Sequence, residues 1–232
     1  MISKLLNAWQ NYRVKRSSPA FVGYLKEKGI KIGDDVIFRD PKTTRIDLTR
    51  PSLISIGNHV DINLHFQILT HDWGSRVFRV YFHDLLNSSG KVSIGNNIYF
   101  GTNVTVLKGV TIGDNCIIGA CSLVTHNIPS NSVAVGVPCR VVCSLEEYFE
   151  KRKQKAFEEA IEYVRSIKER FGRQPLLSEM GEEFIYFVNK KNIQDYYSIP
   201  IKAQLGDGYQ DWLEKHESKF NSFEEFLEYI FK

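Results

Sequence analysis

The sequence predicts a mainly β protein: a left-handed parallel β-helix of hexapeptide repeats, with one extruded loop and a C-terminal α-helical extension. Three observations carry this. First, Ile94, Phe100, Val106, Ile112, Ile118 and Val124 recur every six residues, and Gly95, Gly101, Gly113 and Gly119 follow four of them. Second, a small or β-branched residue stands four places after each, at Ile98, Val104, Val110, Cys116 and Ser122. Third, the same phase runs upstream through Ile32, Phe38, Ile56, Ile62 and Ile68, with Thr44 and Arg50 as defective members. A period of six fits neither an α-helix nor an antiparallel pair; it fits a short strand plus a turn, with Gly expected where the backbone turns tightly. Three faces make a coil of about 18 residues, so Ile94 should stack on Ile112, Phe100 on Ile118 and Val106 on Val124.

The elements follow in order. Residues 1–29 form an N-terminal helical segment, with a stripe at Ile2, Leu5, Leu6, Trp9 and Tyr12 that lacks the unbroken apolar run of a signal peptide. Residues 30–143 hold the β-helix. The period stops between Ile68 and Val92, so residues of about 70–91 are expected as an ejected loop. It carries Trp73, Phe78, Tyr81 and Phe82, more apolar surface than a linker needs. Residues 144–232 read as helical. Leu145, Phe149, Ala156, Ala160, Ile161, Val164, Ile167 and Phe171 fall at helical steps and end before Gly172 and Pro175. The basic run Lys151, Arg152, Lys153 and Lys155 is interleaved with Glu147, Glu150, Glu158 and Glu159, as on a solvated, salt-bridged face. A short helix from Ser178 to Val188, a turn-rich stretch through IPIKAQLGDG and two further helices complete the chain. The last helix opens on a capping box, Ser222 with Glu225.

Composition narrows the function. The 30 basic and 27 acidic side chains leave a formal charge of +3, too little for a broad nucleic-acid or membrane footprint. No stretch approaches the roughly 20 apolar residues of a membrane span, and a cytoplasmic protein is expected. Cys116, Cys121, Cys139 and Cys143 have neither zinc-site spacing nor the density of a disulfide scaffold, and read as reduced, mostly packed thiols.

The run GVTIGDNCIIGACSLVTHNIPSNSVAVGVPCRVV resembles the hexapeptide-repeat acyltransferases, particularly the CoA-dependent O-acetyltransferases of sugars and surface polysaccharides. The likeness extends over residues 30–143, and the helical extension is similar to that of polysaccharide-biosynthesis members. It implies a homotrimer with acetyl-CoA in the groove between two prisms, and one catalytic histidine at the start of a projecting loop. Carried over by motif, that histidine is His71 in ILTHD. The acetyl-CoA contacts are Tyr99 (commonly Trp in the family), Thr102 and Ala120 through backbone N–H groups, Thr125, and Arg140 in GVPCR near the nucleotide phosphates. Three residues depart from the family pattern: Asp72 replaces a Pro, Cys121 a Gly, and His126 a frequent Lys. The first argues against a free maltose-type acceptor.

Acetyl transfer to a hydroxyl needs a base for its proton and a donor for the oxyanion that forms. A histidine suits the first task. His71 has its place in the loop to recommend it; His83, in a second His-Asp pair, is the alternative base, and Asp72 is a candidate to orient an imidazole. Thr102 and Ala120, 18 apart, should share a corner of successive coils. The implied function is acetyl transfer from acetyl-CoA to a sugar hydroxyl, without a metal. N-acetylation of an amino sugar would use the same base. A γ-carbonic-anhydrase-like site would need His59, His65 and His71 to converge, but their spacing points them to different faces. A non-catalytic β-helix would lack the loop histidine or the GVP-Arg segment, and both are present.

Overall fold

The computed structural model describes residues 14–232, so the stripe from Ile2 to Tyr12 lies outside the described residues. The chain forms two compact units divided between Glu150 and Lys151.

The first unit is a stack of very short strands. One set of turns holds β1 (Lys31–Ile32), β2 (Val36–Phe38) and β3 (Arg45–Ile46), and the next holds β4 (Ile54–Ile56), β5 (Val60–Ile62) and β6 (Gln67–Ile68). Above them come β7 (Val92–Ile94), β8 (Ile98–Phe100) and β9 (Thr105–Val106), then β10 (Thr111–Ile112), β11 (Cys116–Ile118) and β12 (Leu123–Val124). β13 (Ser132–Val135) and β14 (Arg140–Ser144) close the stack. Pairing sorts them into three sheets, β1-β4-β7-β10, β14-β13-β11-β8-β5-β2 and β12-β9-β6-β3, parallel throughout except for antiparallel β13 and β14. Ile94 pairs with Ile112, Phe100 with Ile118 and Val106 with Val124, as the hexads require. The recurring apolar side chains all point inward and are buried, and so are Ile98, Val104, Val110, Cys116 and Ser122.

The first coil departs from the expected register. Neither Thr44 nor Arg50 is a member of the stack; Ile46 is, paired with Ile68. Eight residues separate Phe38 from Ile46 and ten separate Ile46 from Ile56. A turn absorbs the first excess, its buried Thr44 hydroxyl donating to the Asp40 carbonyl at 2.9 Å. The 3-10 turn Pro51–Leu53 absorbs part of the second.

The repeat glycines serve a purpose other than the tight turning expected of them, since none of them has a positive φ. A Cβ on Gly57 would lie 2.7 Å from the carbonyl carbon of Gly95, and one on Gly101 would lie 2.5 Å from the Ala120 nitrogen. They are glycines because the next coil leaves no room for a side chain. The left-handed corner conformation falls two residues later, on Asp35, His59, Asn97, Asn103, Asn115 and Cys121. Asn and Asp adopt it with least strain after Gly, because their short polar side chains bond locally. Here Asn97 donates to Asn115 and Asn115 to Asn131, both at 2.9 Å, forming a ladder along one edge.

α1 (Ser18–Glu27) covers the open end of the stack, burying Phe21 and Leu25, with Phe21 edge-on to Phe38 at 5.0 Å. A repeat array needs such a cap, since its terminal coil has no neighbour to bury it. The interruption after Ile68 is a loop that contains a seven-residue helix, α2 (Ser75–Tyr81).

α3 (Leu145–Phe171) opens on a capping box in which Ser144 and Glu147 exchange hydrogen bonds, and ends at Gly172, whose φ is 64°. Arg152 and Glu159 pair on it at 2.6 Å. In the second unit the expected helix from Ser178 to Val188 is instead two 3-10 turns, Leu177–Glu179 and Glu183–Tyr186, separated around Gly181. α4 (Ile201–Leu205), α5 (Tyr209–Lys215) and α6 (Phe223–Phe231) follow. Ser222 caps α6 by accepting from the Glu225 N–H, but the Glu225 carboxylate reaches the Asn221 N–H rather than that of Ser222. Their apolar faces enclose a core around Phe184, Phe187 and Phe226. Among the described residues no helix is long and apolar enough to cross a membrane.

Candidate active site

His71 stands just beyond β6, where the chain leaves the coil. The exit and return of the loop are fastened together: His71 bridges Ser89 antiparallel, the Gly90 N–H donates to the Thr70 carbonyl at 2.9 Å, and the Asp72 N–H to that of Ser88 at 3.3 Å. Lys108, from the coil above, adds a clamp by bonding both the Asp72 carboxylate and the Ser88 hydroxyl. The Lys108 ammonium, with help from Ser88, holds the Asp72 carboxyl well below the usual carboxylate range. Asp72 is thus committed to the loop base and does not touch the imidazole.

The group that orients His71 is Asp47. Its Oδ2 lies 2.6 Å from His71 Nδ1. Asp47 follows β3, one coil below, and only 5% of its side chain is exposed. Burial alone would push this carboxyl up. Hydrogen bonds from the Thr49 hydroxyl, Thr70, the Thr49 N–H and His71 outweigh burial and hold it well below the usual range. An ionised carboxylate only accepts, so Nδ1 carries the proton and Nε2 keeps its lone pair, the tautomer a general base needs. Nothing within six residues of His71 announces Asp47 in the sequence. The defective register of the first coil hid it, because a hexad count puts Thr44 and Arg50, not Ile46, in the stack.

His71 lines a cleft of about 540 Å³ with Thr49, Arg50, Trp73, Leu86 and Ser88. His83 is exposed on the loop with a φ of 57° and is not part of that lining, and the Asp84 carboxylate accepts from the Leu85 N–H. His59 and His65 occupy two other corners. The first lies 3.0 Å from Asp35, and the second donates its N–H to the Thr43 hydroxyl. Among the described residues no three His, Cys, Asp or Glu side chains converge as a metal site.

The remaining expected residues fall into two groups. Thr102 and Ala120 stack at the corner that follows the second sheet, tied by a 2.8 Å bond from the Cys121 N–H to the Thr102 carbonyl. Tyr99 is exposed on the outer face of that sheet, its hydroxyl 3.3 Å from Asn63 Nδ2. Thr125 follows β12 in the third sheet, on the same edge as His71. Its hydroxyl is 2.7 Å from His126 Nδ1, which lies 3.4 Å from a guanidinium nitrogen of Arg140. One chain therefore sets His71 and the Thr102–Ala120 pair on different corners of the prism. Of the four cysteines, Cys116 and Cys139 are buried, and burial pushes both thiols up; Cys121 is exposed at a corner.

The six-residue repeat that builds this three-sheeted parallel coil is the mark of a class of transferases. The pattern of the family described as "Bacterial transferase hexapeptide (six repeats)" matches residues 91–126. Protein CapG of Staphylococcus aureus is 36% identical over 166 residues, 72% of this chain and 86% of that protein. The chain belongs to the hexapeptide-repeat acyltransferase family. The galactoside O-acetyltransferase of Escherichia coli (strain K12) is 54% identical over 56 residues; the match spans 24% of this chain and about a quarter, 28%, of that relative. A maltose O-acetyltransferase structure from Clostridium difficile 630 superposes with a TM-score of 0.40 at 26% identity, covering 61% of this chain and 83% of the other.

Proposed function

We propose that the protein transfers the acetyl group of acetyl-CoA to a sugar hydroxyl in the biosynthesis of a surface polysaccharide. The Asp47–His71 pair at the mouth of the loop cleft is the observation that carries this reading. His71 Nε2 takes the proton of the acceptor hydroxyl as its oxygen attacks the thioester carbonyl carbon. The tetrahedral oxyanion collapses, the C–S bond breaks, and the imidazolium returns the proton to the departing CoA thiolate. Asp47 keeps the imidazole in its base tautomer and stabilises the transient positive charge.

In this reading the coil is left-handed and three copies assemble. The separation of His71 from Thr102 and Ala120 within one chain supports that assembly, since a ligand lying between two copies could meet one corner of each. Acetyl-CoA would run along Tyr99, Thr102, Ala120 and Thr125, with Arg140 at its phosphates. Reaction in the cytoplasm, where acetyl-CoA is made, and without a metal completes the proposal. The test is CoA release against a panel of neutral, amino and acidic sugars and lipid-linked oligosaccharides. Release with hydroxyl acceptors supports the reading, release confined to amines moves it to N-acetylation, and no release with any of them overturns it.

A further inference from the structure

The cleft beside His71 contains a charge that no other described residue answers. Asp72 is held by Lys108, and Asp47 is occupied by Thr49, Thr70 and His71. Arg50 lines the same cleft, half-buried, and its side chain makes no ion pair or hydrogen bond among the described residues. Its backbone is fixed: Pro51 follows it, and its carbonyl accepts from the Leu53 N–H at 3.1 Å. Arg76 and Arg79 lie on α2, which begins at the cleft residue Ser75, and they too meet no carboxylate among the described residues. The remaining acidic group of the loop, Asp84, turns back to cap Leu85. The region is therefore net positive where an acceptor would enter. Trp73, 71% exposed, supplies a flat apolar wall to the same cleft.

A guanidinium without a partner among the described residues favours an anion that it can grip with two parallel N–H bonds. An aromatic face favours the apolar C–H face of a sugar ring, whose hydrogens carry partial positive charge. We infer that the acceptor is an anionic sugar, its carboxylate or phosphate held by Arg50 and its ring packed on Trp73. This rests on the acetyl-transfer reading above and narrows its substrate class. The anion has two possible sources. A uronic acid carries it on the ring, and a sugar phosphate or nucleoside-diphosphate sugar carries it at the anomeric carbon.

The experiment measures CoA release by the full chain with a neutral hexose, the matching uronic acid, the hexose 1-phosphate and the nucleoside-diphosphate hexose. Wild-type protein should prefer at least one anionic acceptor over the neutral sugar by roughly 10- to 100-fold in kcat/KM, the discrimination of one charge-assisted contact. Which anion wins identifies the source. Arg50→Gln should abolish the preference by raising the acceptor KM, Arg50→Lys should restore part of it, and added salt should narrow it. Equal use of neutral and anionic sugars by the wild type, a result needing no variant, overturns the inference while leaving acetyl transfer standing. So does a preference that survives Arg50→Gln, or a loss confined to the KM for acetyl-CoA. Absence of CoA release with every acceptor sinks the acetyl-transfer reading, and this inference with it.

Discussion

Asp47 and His71 are 24 residues apart in sequence and 2.6 Å apart in space, carboxylate Oδ2 against imidazole Nδ1. The stacking of β3 on β6 produces this approach, since Ile46 pairs with Ile68 and each chain continues past the same edge. Replacing Asp47 by Asn keeps the shape but supplies an amide that can donate to Nδ1, which would move the proton to Nε2. We expect Asp47→Asn to lower kcat by roughly 10²–10⁴ with little change in the KM for acetyl-CoA. A kcat within threefold of wild type would remove Asp47 from the mechanism.

The base itself is tested by a pair of variants. If His71 is the base proposed above, His71→Ala should lower kcat by roughly 10²–10⁴ and leave acetyl-CoA affinity nearly intact, because the side chain would serve proton transfer and not cofactor binding. His83→Ala, exposed and outside the cleft lining, should retain turnover. The reverse pattern would transfer the role to His83, and indifference of both would end the general-base reading.

Arg140 lies beside His126 and Thr125 at the far end of the edge that His71 begins. If it meets the 3′-phosphate of CoA, Arg140→Ala should weaken binding of CoA more than that of dephospho-CoA. Calorimetric titration of both ligands decides this, and equal weakening assigns Arg140 elsewhere.

Two glycine substitutions should shift stability in opposite directions. Gly57→Ala forces a methyl against the Gly95 backbone and should destabilise the coil by about 1–3 kcal/mol. Gly23→Ala sits inside α1 with nothing within 4 Å of the new methyl, and should stabilise by about 0.5–1 kcal/mol. Urea midpoints, followed by a probe in the first unit, would show the two changes with opposite sign.

Asp47 also gives the coil an acid sensitivity with a definite sign. Its folded carboxyl lies below the unfolded value, so its contribution is complete above about pH 5, clear of the unfolded carboxylate range, and is lost as pH falls through that range toward the folded value. The urea midpoint of the wild type should therefore drop between pH 5 and pH 2. Asp47→Asn should be less stable at neutral pH and show a smaller drop over that interval.

The hexads made the stack legible because every coil repeats one demand, an inward apolar side chain over another such as Phe100 over Ile118. The first coil was not legible to the same count. Its links stretch to eight and ten residues, and only the pairing of Ile46 with Ile68 shows where they rejoin. That one displacement concealed Asp47, Thr49 and Arg50 together. The 3-10 turns at Leu177–Glu179 and Glu183–Tyr186 were hidden for another reason. Phe184, Phe187 and Val188 have helix-like spacing, but burial in an aromatic core imposes the same spacing on tighter turns.

Ile56 pairs with Ile94, 38 residues on, in the register by which Ile94 pairs with Ile112, 18 residues on. The ladder above and below thus does not register how much chain has left between His71 and Gly90, provided it returns to the same rung. Between those fastened ends, over residues 73–87, length and composition are free variables for the scaffold, whereas the Asp47–His71 pair beneath is tied to rungs that cannot slip. On the proposed mechanism proton transfer is written in the coil and acceptor contact in both places, Trp73 in the excursion and Arg50 beside Asp47, so exchanging the excursion with that of a relative would change the sugar-ring contact and leave the proton chemistry and the Arg50 contact with the unaltered host.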